Sequence, residues 1–283
     1  MPAGLEVRSV LPRSRRGNDF PPLLFIHGAY CDAWWWGVNV LPWFAGRGYA
    51  AHSLSLRGHG DSPGREHLND ATLGDYMDDI REVAGGLTSK PVLIGHSMGA
   101  ALVERMIAGE AWPGAALVSP VPPSGLLPVL TRLWFDRPDF FWNAQKMHQG
   151  MFDPVSLSTL REFYFTDRAS RTIMAEALHH LGPESSRAVM ELAWRGSAPR
   201  MEPGAMPLCV IAGGADALFT PDDAASTARR YGTEPIVLDG LPHMMMLEPG
   251  WESLAAALDG WIRSSVRAAV PAPARSRGSA REQ

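Results

Sequence analysis

Apolar and polar positions follow two rhythms along this chain. Short continuous apolar runs, bounded by Pro, Gly or polar residues, occur at Pro22–His27, Val92–Gly95, Ala115–Ser119 and Leu208–Ala212. Such runs predict strands buried on both faces of a sheet. Tyr49–Leu54 and Pro235–Leu238 are two further candidate strands, and the weak alternation of Leu5–Leu11 predicts an edge strand. Between the strands the period lengthens. Leu73, Tyr76, Met77, Ile80 and Val83 recur at three- and four-residue steps within Thr72–Gly85, with acids between them, as in an amphipathic helix. Helices are also expected over Val38–Gly46, Ala100–Ala108, Pro221–Tyr231 and Gly250–Val266. Strands alternating with helices at these lengths imply βαβ units. The expected fold is therefore α/β, with a mostly parallel, doubly wound sheet.

The rhythm breaks once. Residues 120–207 hold no buried strand but show helical periodicity and many aromatic residues, among them Trp134, Phe135, Phe140, Phe141, Trp142, Phe163, Tyr164, Phe165 and Trp194. The expected organisation is a core built from residues 1–119 and 208–266, with 120–207 inserted between two strands as a helical cap over one end of the sheet. Residues 267–283, rich in Ala, Pro, Arg and Ser, lack apolar residues to bury and are expected to be a disordered tail. Arg13–Asp19 reads as a basic, polar turn.

Composition narrows the function classes. A net charge of −4 over 283 residues argues against a nucleic-acid partner. No apolar run is long enough for stable membrane insertion. The first residues show no basic stretch followed by an apolar one, so a cytoplasmic location is expected. Cys31 and Cys209 are expected to be free thiols. The chain has no P-loop, no dinucleotide-binding glycine pattern in its usual context and no H-E-x-x-H, so no metal or organic cofactor is expected. Ten tryptophans and thirteen methionines suggest a large apolar pocket as well as a core.

Candidate chemistry centres on Gly95-His-Ser-Met-Gly99, between a strand and a helix. This is the G-x-S-x-G elbow, in which a tight turn lifts Ser97 out of the sheet and sets it at a helix N-terminus. A serine needs a base. Loops at the C-terminal ends of parallel strands converge, and two of them supply Asp216, in Gly213-Gly-Ala-Asp, and His243, in Leu241-Pro-His. The order is Ser…Asp…His. His243 would take the Ser97 proton, and turnover would then fall as that ring becomes protonated in acid. Asp216 would orient the ring. Asp222 and Asp223 also stand near, but they follow Pro221 at a helix start, where acids are commonly structural. Asp239 is close to His243 in the same loop and reaches behind its ring poorly. The oxyanion hole requires two converging N–H groups, expected from Met98 and from Ala29 in His27-Gly-Ala-Tyr30. His27 reads as a packing residue, and Arg57-Gly-His-Gly-Asp-Ser62 as a structural turn with Asp61 bonding nearby backbone. Tyr30, Trp34, Trp35 and Met244 are expected to line a substrate pocket.

Taken together, His27-Gly-Ala, Arg57-Gly-His-Gly-Asp-Ser, Gly95-His-Ser-Met-Gly, Gly213-Gly-Ala-Asp and Pro242-His resemble the α/β-hydrolase superfamily over roughly residues 5 to 266. The likeness is to its carboxylesterase, monoacylglycerol lipase and lysophospholipase-like branch. It implies Ser97, Asp216 and His243 as a catalytic triad, and hydrolysis of a small or medium apolar ester through an acyl-enzyme. Thioester hydrolysis, C–C bond hydrolysis and lyase chemistry use the same triad elsewhere in the superfamily and stay open at this point.

Overall fold

In a computed structural model, the structure describes residues 4–13, 20–148, 154–194 and 204–266. The tail at 267–283 and most of the Arg13–Asp19 turn lie outside the described residues. Seven strands form one sheet: β1 (Val7–Val10), β2 (Leu23–Ile26), β3 (Ala51–Leu54), β4 (Val92–His96), β5 (Ala115–Val118), β6 (Leu208–Gly213) and β7 (Pro235–Leu238). Their order is β1-β3-β2-β4-β5-β6-β7. Among the described strands only β1, at the edge, runs antiparallel, pairing Val7 with Leu54. The other neighbours are parallel, so the C-terminal ends of β2 to β7 share one edge. The order reverses at β4, which lies mid-sheet and leads into Ser97.

The helices that precede and follow these strands are α1 (Trp34–Gly37), α2 (Val40–Gly46), α3 (Leu73–Gly85) and α4 (Met98–Gly109). Five more lie between β5 and β6: α5 (Leu126–Asp136), α6 (Asp139–His148), α7 (Pro154–Tyr164), α8 (Arg171–His179) and α9 (Ser186–Trp194). The chain then adds α10 (Pro221–Arg230) and α11 (Trp251–Trp261). The last of these is shorter than Gly250–Val266, because the final turn relaxes into a π-helical turn at Ile262–Val266. Helix α3 begins where its capping chemistry sets it. The Thr72 hydroxyl accepts from Asp75 N at 3.0 Å, and the Asp75 carboxylate accepts from Thr72 N at 2.8 Å. That reciprocal pair satisfies two otherwise orphaned donors.

Alternation along the strands divides the core into two layers. Leu23, Phe25, Val92, Ile94, Ala116, Val118, Cys209 and Ile211 face α1, α2 and α11. Leu24, Ile26, Leu93, Leu117, Val210 and Ala212 face α3, α4 and α10. Both faces of the sheet are thus covered, which is why its central strands read as unbroken apolar runs. No helix among the described residues is long and apolar enough to cross a membrane.

Candidate active site

Ser97 follows β4 with φ 54° and ψ −116°, outside the usual regions for a side-chain-bearing residue. Two close approaches enforce this. A methyl group on Gly95 would lie 2.3 Å from the Gly99 carbonyl oxygen, and one on Gly99 would lie 2.6 Å from the Ile26 and His27 oxygens. Only glycine at both places lets α4 start directly against β4 and β2. The turn therefore sets Ser97 at the first turn of a twelve-residue helix, where unpaired N–H groups favour negative charge.

Asp216 and His243 arrive from the loops after β6 and β7. The His243 Nδ1–H donates to Asp216 Oδ2 at 2.8 Å, and both side chains are buried. The other carboxylate oxygen, Oδ1, accepts from Leu218 N and Phe219 N, each at 2.9 Å. With Nδ1 committed, His243 Nε2 is the free ring nitrogen, and His243 and Ser97 line the same cavity. No hydrogen bond joins the Ser97 hydroxyl to that ring among the described residues. Such bonds are often long in unliganded enzymes and tighten with substrate. The rings of His96, Phe219 and Tyr164 surround His243 at 4.7, 5.2 and 5.9 Å. His96 Nε2–H also donates to the His243 carbonyl at 3.0 Å, tying the elbow to the histidine loop.

Asp222 and Asp223 have other work. Asp223 forms a capping box with Thr220 at the start of α10, and Asp222 lies in the same first turn. Ala29 and Met98 both line the cavity. Among the described residues neither donates its backbone N–H to another protein group. Both donors are therefore available to a ligand oxygen.

His27 is a staple between loops. Its Nδ1–H donates to Gly28 O at 2.8 Å, and its Nε2 accepts from Leu56 N at 3.0 Å. Burial, with His59 close by, pushes its pKa down to about 3. Burial beside His243 likewise holds His96 well below the usual histidine range. Both rings stay neutral in the folded protein, whereas an unfolded chain binds protons on them as pH falls through about 6.5. Their contribution is therefore constant above that pH and is lost below it, by roughly 1.4 kcal/mol per pH unit for each ring. Glu104, raised by burial to about 6, returns part of this loss below pH 6. His59, raised by its pairing with Glu184, opposes the fall above about pH 6.5 and adds no slope below it, so the melting temperature should fall between about pH 6.5 and pH 5. A flat or rising profile would contradict neutral burial of the two rings.

The cavity is about 250 Å³ in volume. Its floor is Ser97, Met98, Ala29 and His243, and its roof is apolar: Leu126, Val129, Leu130 and Leu133 from one stripe of α5, with Phe140, Phe141, Val189 and Leu192 from α6 and α9. Among the described residues, no Lys, Arg, Asp or Glu lines it. Tyr30, Trp35 and Met244 stand in its wall, and Trp34 does not. Three successive positions of a short helix point in different directions. Trp35 reaches the cavity, Trp36 packs on Phe25 at 5.0 Å, and Trp34 stacks on His180 at 4.3 Å. The α5 stripe and Phe219 were not singled out in the sequence, although the three- and four-residue spacing of Leu126, Val129, Leu130 and Leu133 carries the signal.

Other polar groups prove structural. In the Arg57–Ser62 loop, Gly58 and Gly60 have positive φ, and Ser62 rather than Asp61 supplies the side-chain bond, donating to Ser55 O at 2.6 Å. Cys31 and Cys209 are free and buried. Burial raises both thiols, Cys209 to about 12, so neither is a ready thiolate. Among the described residues, no group of three or more His, Cys, Asp or Glu side chains is placed to hold a metal ion.

A family model described as "Alpha/beta hydrolase family" matches residues 23–257. The chain belongs to the alpha/beta hydrolase family. The seven-stranded sheet with its one antiparallel edge strand agrees with that membership. No curated protein matches the sequence. Solved structures share the fold at low identity. An enol-lactonase from Burkholderia xenovorans superposes with a TM-score of 0.70 at 17% identity, covering 92% of this chain and 97% of its own. A thermophilic esterase from Thermogutta terrifontis gives 0.64 at 21% identity, covering 92% and 93%. A monoacylglycerol lipase from Paleococcus ferrophilus gives 0.61 at 19% identity, covering 92% and 98%. This alpha/beta hydrolase is thus an enzyme of a hydrolytic family.

Proposed function

We propose that this hydrolase is a serine esterase that cleaves a neutral carboxylic ester with a small or medium apolar acyl part, through an acyl-enzyme. The observation that carries the proposal is the buried Asp216–His243 pair, whose histidine shares the floor of an apolar cavity with Ser97. Ser97 Oγ attacks the ester carbonyl carbon while His243 Nε2 takes its proton. The carbonyl oxygen, now negative, is held by the N–H groups of Ala29 and Met98. The C–O bond to the alcohol breaks as that oxygen takes the proton from His243. Water then attacks the acyl-enzyme by the same steps, and the acid leaves.

The lining also selects among chemistries. A substrate with a free carboxylate would meet no cation among the described lining residues and would lose its hydration without compensation from them. That favours neutral esters over the charged ketone acids of C–C bond hydrolysis. The helical insertion, residues 120–207, acts here as a cap that shapes the acyl site.

Two assays test the proposal together. A fluorescent phosphonate that reacts with activated serines should label one peptide, the one bearing Ser97. A series of p-nitrophenyl esters from acetate to laurate should show turnover with an optimum at intermediate chain length. Absence of labelling, or turnover confined to anionic substrates, would refute the reading.

A further inference from the structure

The segment between α8 and α9 carries a carboxylate that belongs neither to the proposed triad nor to the cavity lining. Glu184 is buried, and its side chain is wholly enclosed. Four donors converge on it. Oε1 accepts from the Tyr76 hydroxyl at 2.6 Å and from Ser185 N at 2.7 Å. Oε2 accepts from His59 Nε2 at 3.1 Å and from Tyr30 N at 3.3 Å. His59 Nδ1–H also donates, to Arg57 O at 3.0 Å. With both ring nitrogens donating, His59 is an imidazolium paired with the carboxylate. Burial is the largest single influence and opposes charge on both partners, yet the opposite charge and the hydrogen bonds together outweigh it: the histidine is raised and the glutamate lowered. A buried, fully satisfied ion pair of this kind is costly to break from one side.

What the pair holds is the loop after β2. Tyr30 has φ 67°, a conformation that a bulky residue keeps only under external restraint. The same short segment supplies restraint on both sides of Tyr30: Glu184 takes its N–H, and Gly182 N donates to its carbonyl at 2.9 Å. Nearby, His180 Nδ1 meets Asp32 Oδ2 at 2.7 Å, and Trp35 Nε1 donates to His180 O at 3.1 Å. The Tyr30 N–H belongs to the peptide that joins it to Ala29. Fixing that peptide restrains the Ala29 backbone, and Ala29 lines the cavity.

We infer that Glu184 is a positioning residue for the oxyanion hole: it holds the Ala29–Tyr30 peptide so that the Ala29 N–H points at the reacting oxygen. The helical insertion then completes the site as well as covering it. This rests on the serine esterase reading above. An interaction that aligns a transition-state donor acts on kcat, whereas one that only secures the fold acts on stability.

The test compares three variants of the full chain by active-site titration, kcat, KM and melting temperature. Glu184→Met removes both acceptor oxygens. Glu184→Gln keeps the volume but presents an NH2 to one pair of donors. Tyr76→Phe deletes a bond to the same carboxylate while leaving the Tyr30 contact. Per labelled site, kcat on a p-nitrophenyl ester should fall about tenfold or more in Glu184→Met, by a smaller factor in Glu184→Gln, with KM little changed in both. Tyr76→Phe should lower the melting temperature and leave kcat near the parent value. If Glu184→Met does not fold, Glu184→Gln and Tyr76→Phe decide the matter. A Glu184→Gln protein with parental kcat overturns the inference. So does a kcat loss in Tyr76→Phe that matches its loss of stability as closely as the Glu184 variants match theirs. If the phosphonate fails to label Ser97 in the parent protein, the esterase reading fails and the inference falls with it. Labelled Ser97 with unchanged kcat overturns the inference alone.

Discussion

Ser97→Ala should lower ester turnover by at least about a thousandfold, leaving only what binding and the oxyanion donors supply without a nucleophile. The size of the effect follows from the division of labour at the site. Without the hydroxyl no acyl-enzyme forms, and His243 has no proton to accept. Water could take the place of the lost Oγ with His243 as its base, but it is not fixed at the elbow as the serine hydroxyl is. The substitution is mild in other respects. The strained φ of 54° at Ser97 is imposed by the contacts of Gly95 and Gly99 with the neighbouring backbone, and alanine has a Cβ as serine does. The fold should therefore persist, with an unchanged circular dichroism spectrum and no phosphonate labelling. Turnover within an order of magnitude of the parent would remove Ser97 from the chemistry.

Asp216→Asn is expected to cost nearly as much, about 10³- to 10⁴-fold in kcat. The local hydrogen bonds decide which way the new amide turns. Leu218 N and Phe219 N both aim at Oδ1, so the amide oxygen stays there and the NH2 faces His243. The ring must then accept at Nδ1 and carry its proton on Nε2, where it cannot take one from Ser97. The variant should bind phosphonate slowly, and its melting temperature should fall far less than its activity. Asp223→Asn serves as the comparison. It loosens the Thr220 capping box, costing about 1 kcal/mol of stability or less, with kcat unaffected. The reverse pattern, activity lost at Asp223 and kept at Asp216, would reassign the acid.

Much of this architecture was legible in the sequence, for reasons that differ between its parts. The buried strands were clear because both faces of β2, β4 and β5 are covered, which leaves no polar position to interrupt the run. Ser97, Asp216 and His243 could be placed because each follows a strand, and parallel strands bring their C-terminal ends to one edge. Helix starts were sharp at Thr72 and Thr220, where the capping residues stand in the sequence. The insertion was harder. Its helical character could be read, but which residues of α5, α6 and α9 meet depends on packing between helices. Glu184 had no local signal at all. Its partners His59, Tyr76 and Tyr30 are more than a hundred residues away and come from three separate loops or helices. Trp34 was misplaced because consecutive aromatic residues on one turn of helix look alike in sequence and diverge by roughly 100° each in space.

The position of the insertion between β5 and β6 bears on how this enzyme could change over evolutionary time. Adjacent parallel strands need a crossover of only a dozen or so residues, usually one helix. Here residues 119–207 make that crossover, so most of them are surplus to the needs of the sheet. They can be exchanged, shortened or extended without touching the strands that present Ser97, Asp216 and His243. Under the proposed reading, the roof of the cavity can change while the sheet edge that carries Ser97, Asp216 and His243 stays as it is. One requirement travels with the exchanged segment: any replacement has to bring an acceptor for the Tyr30 N–H and a counter-charge for His59, or the new roof closes over a loop that has lost these restraints.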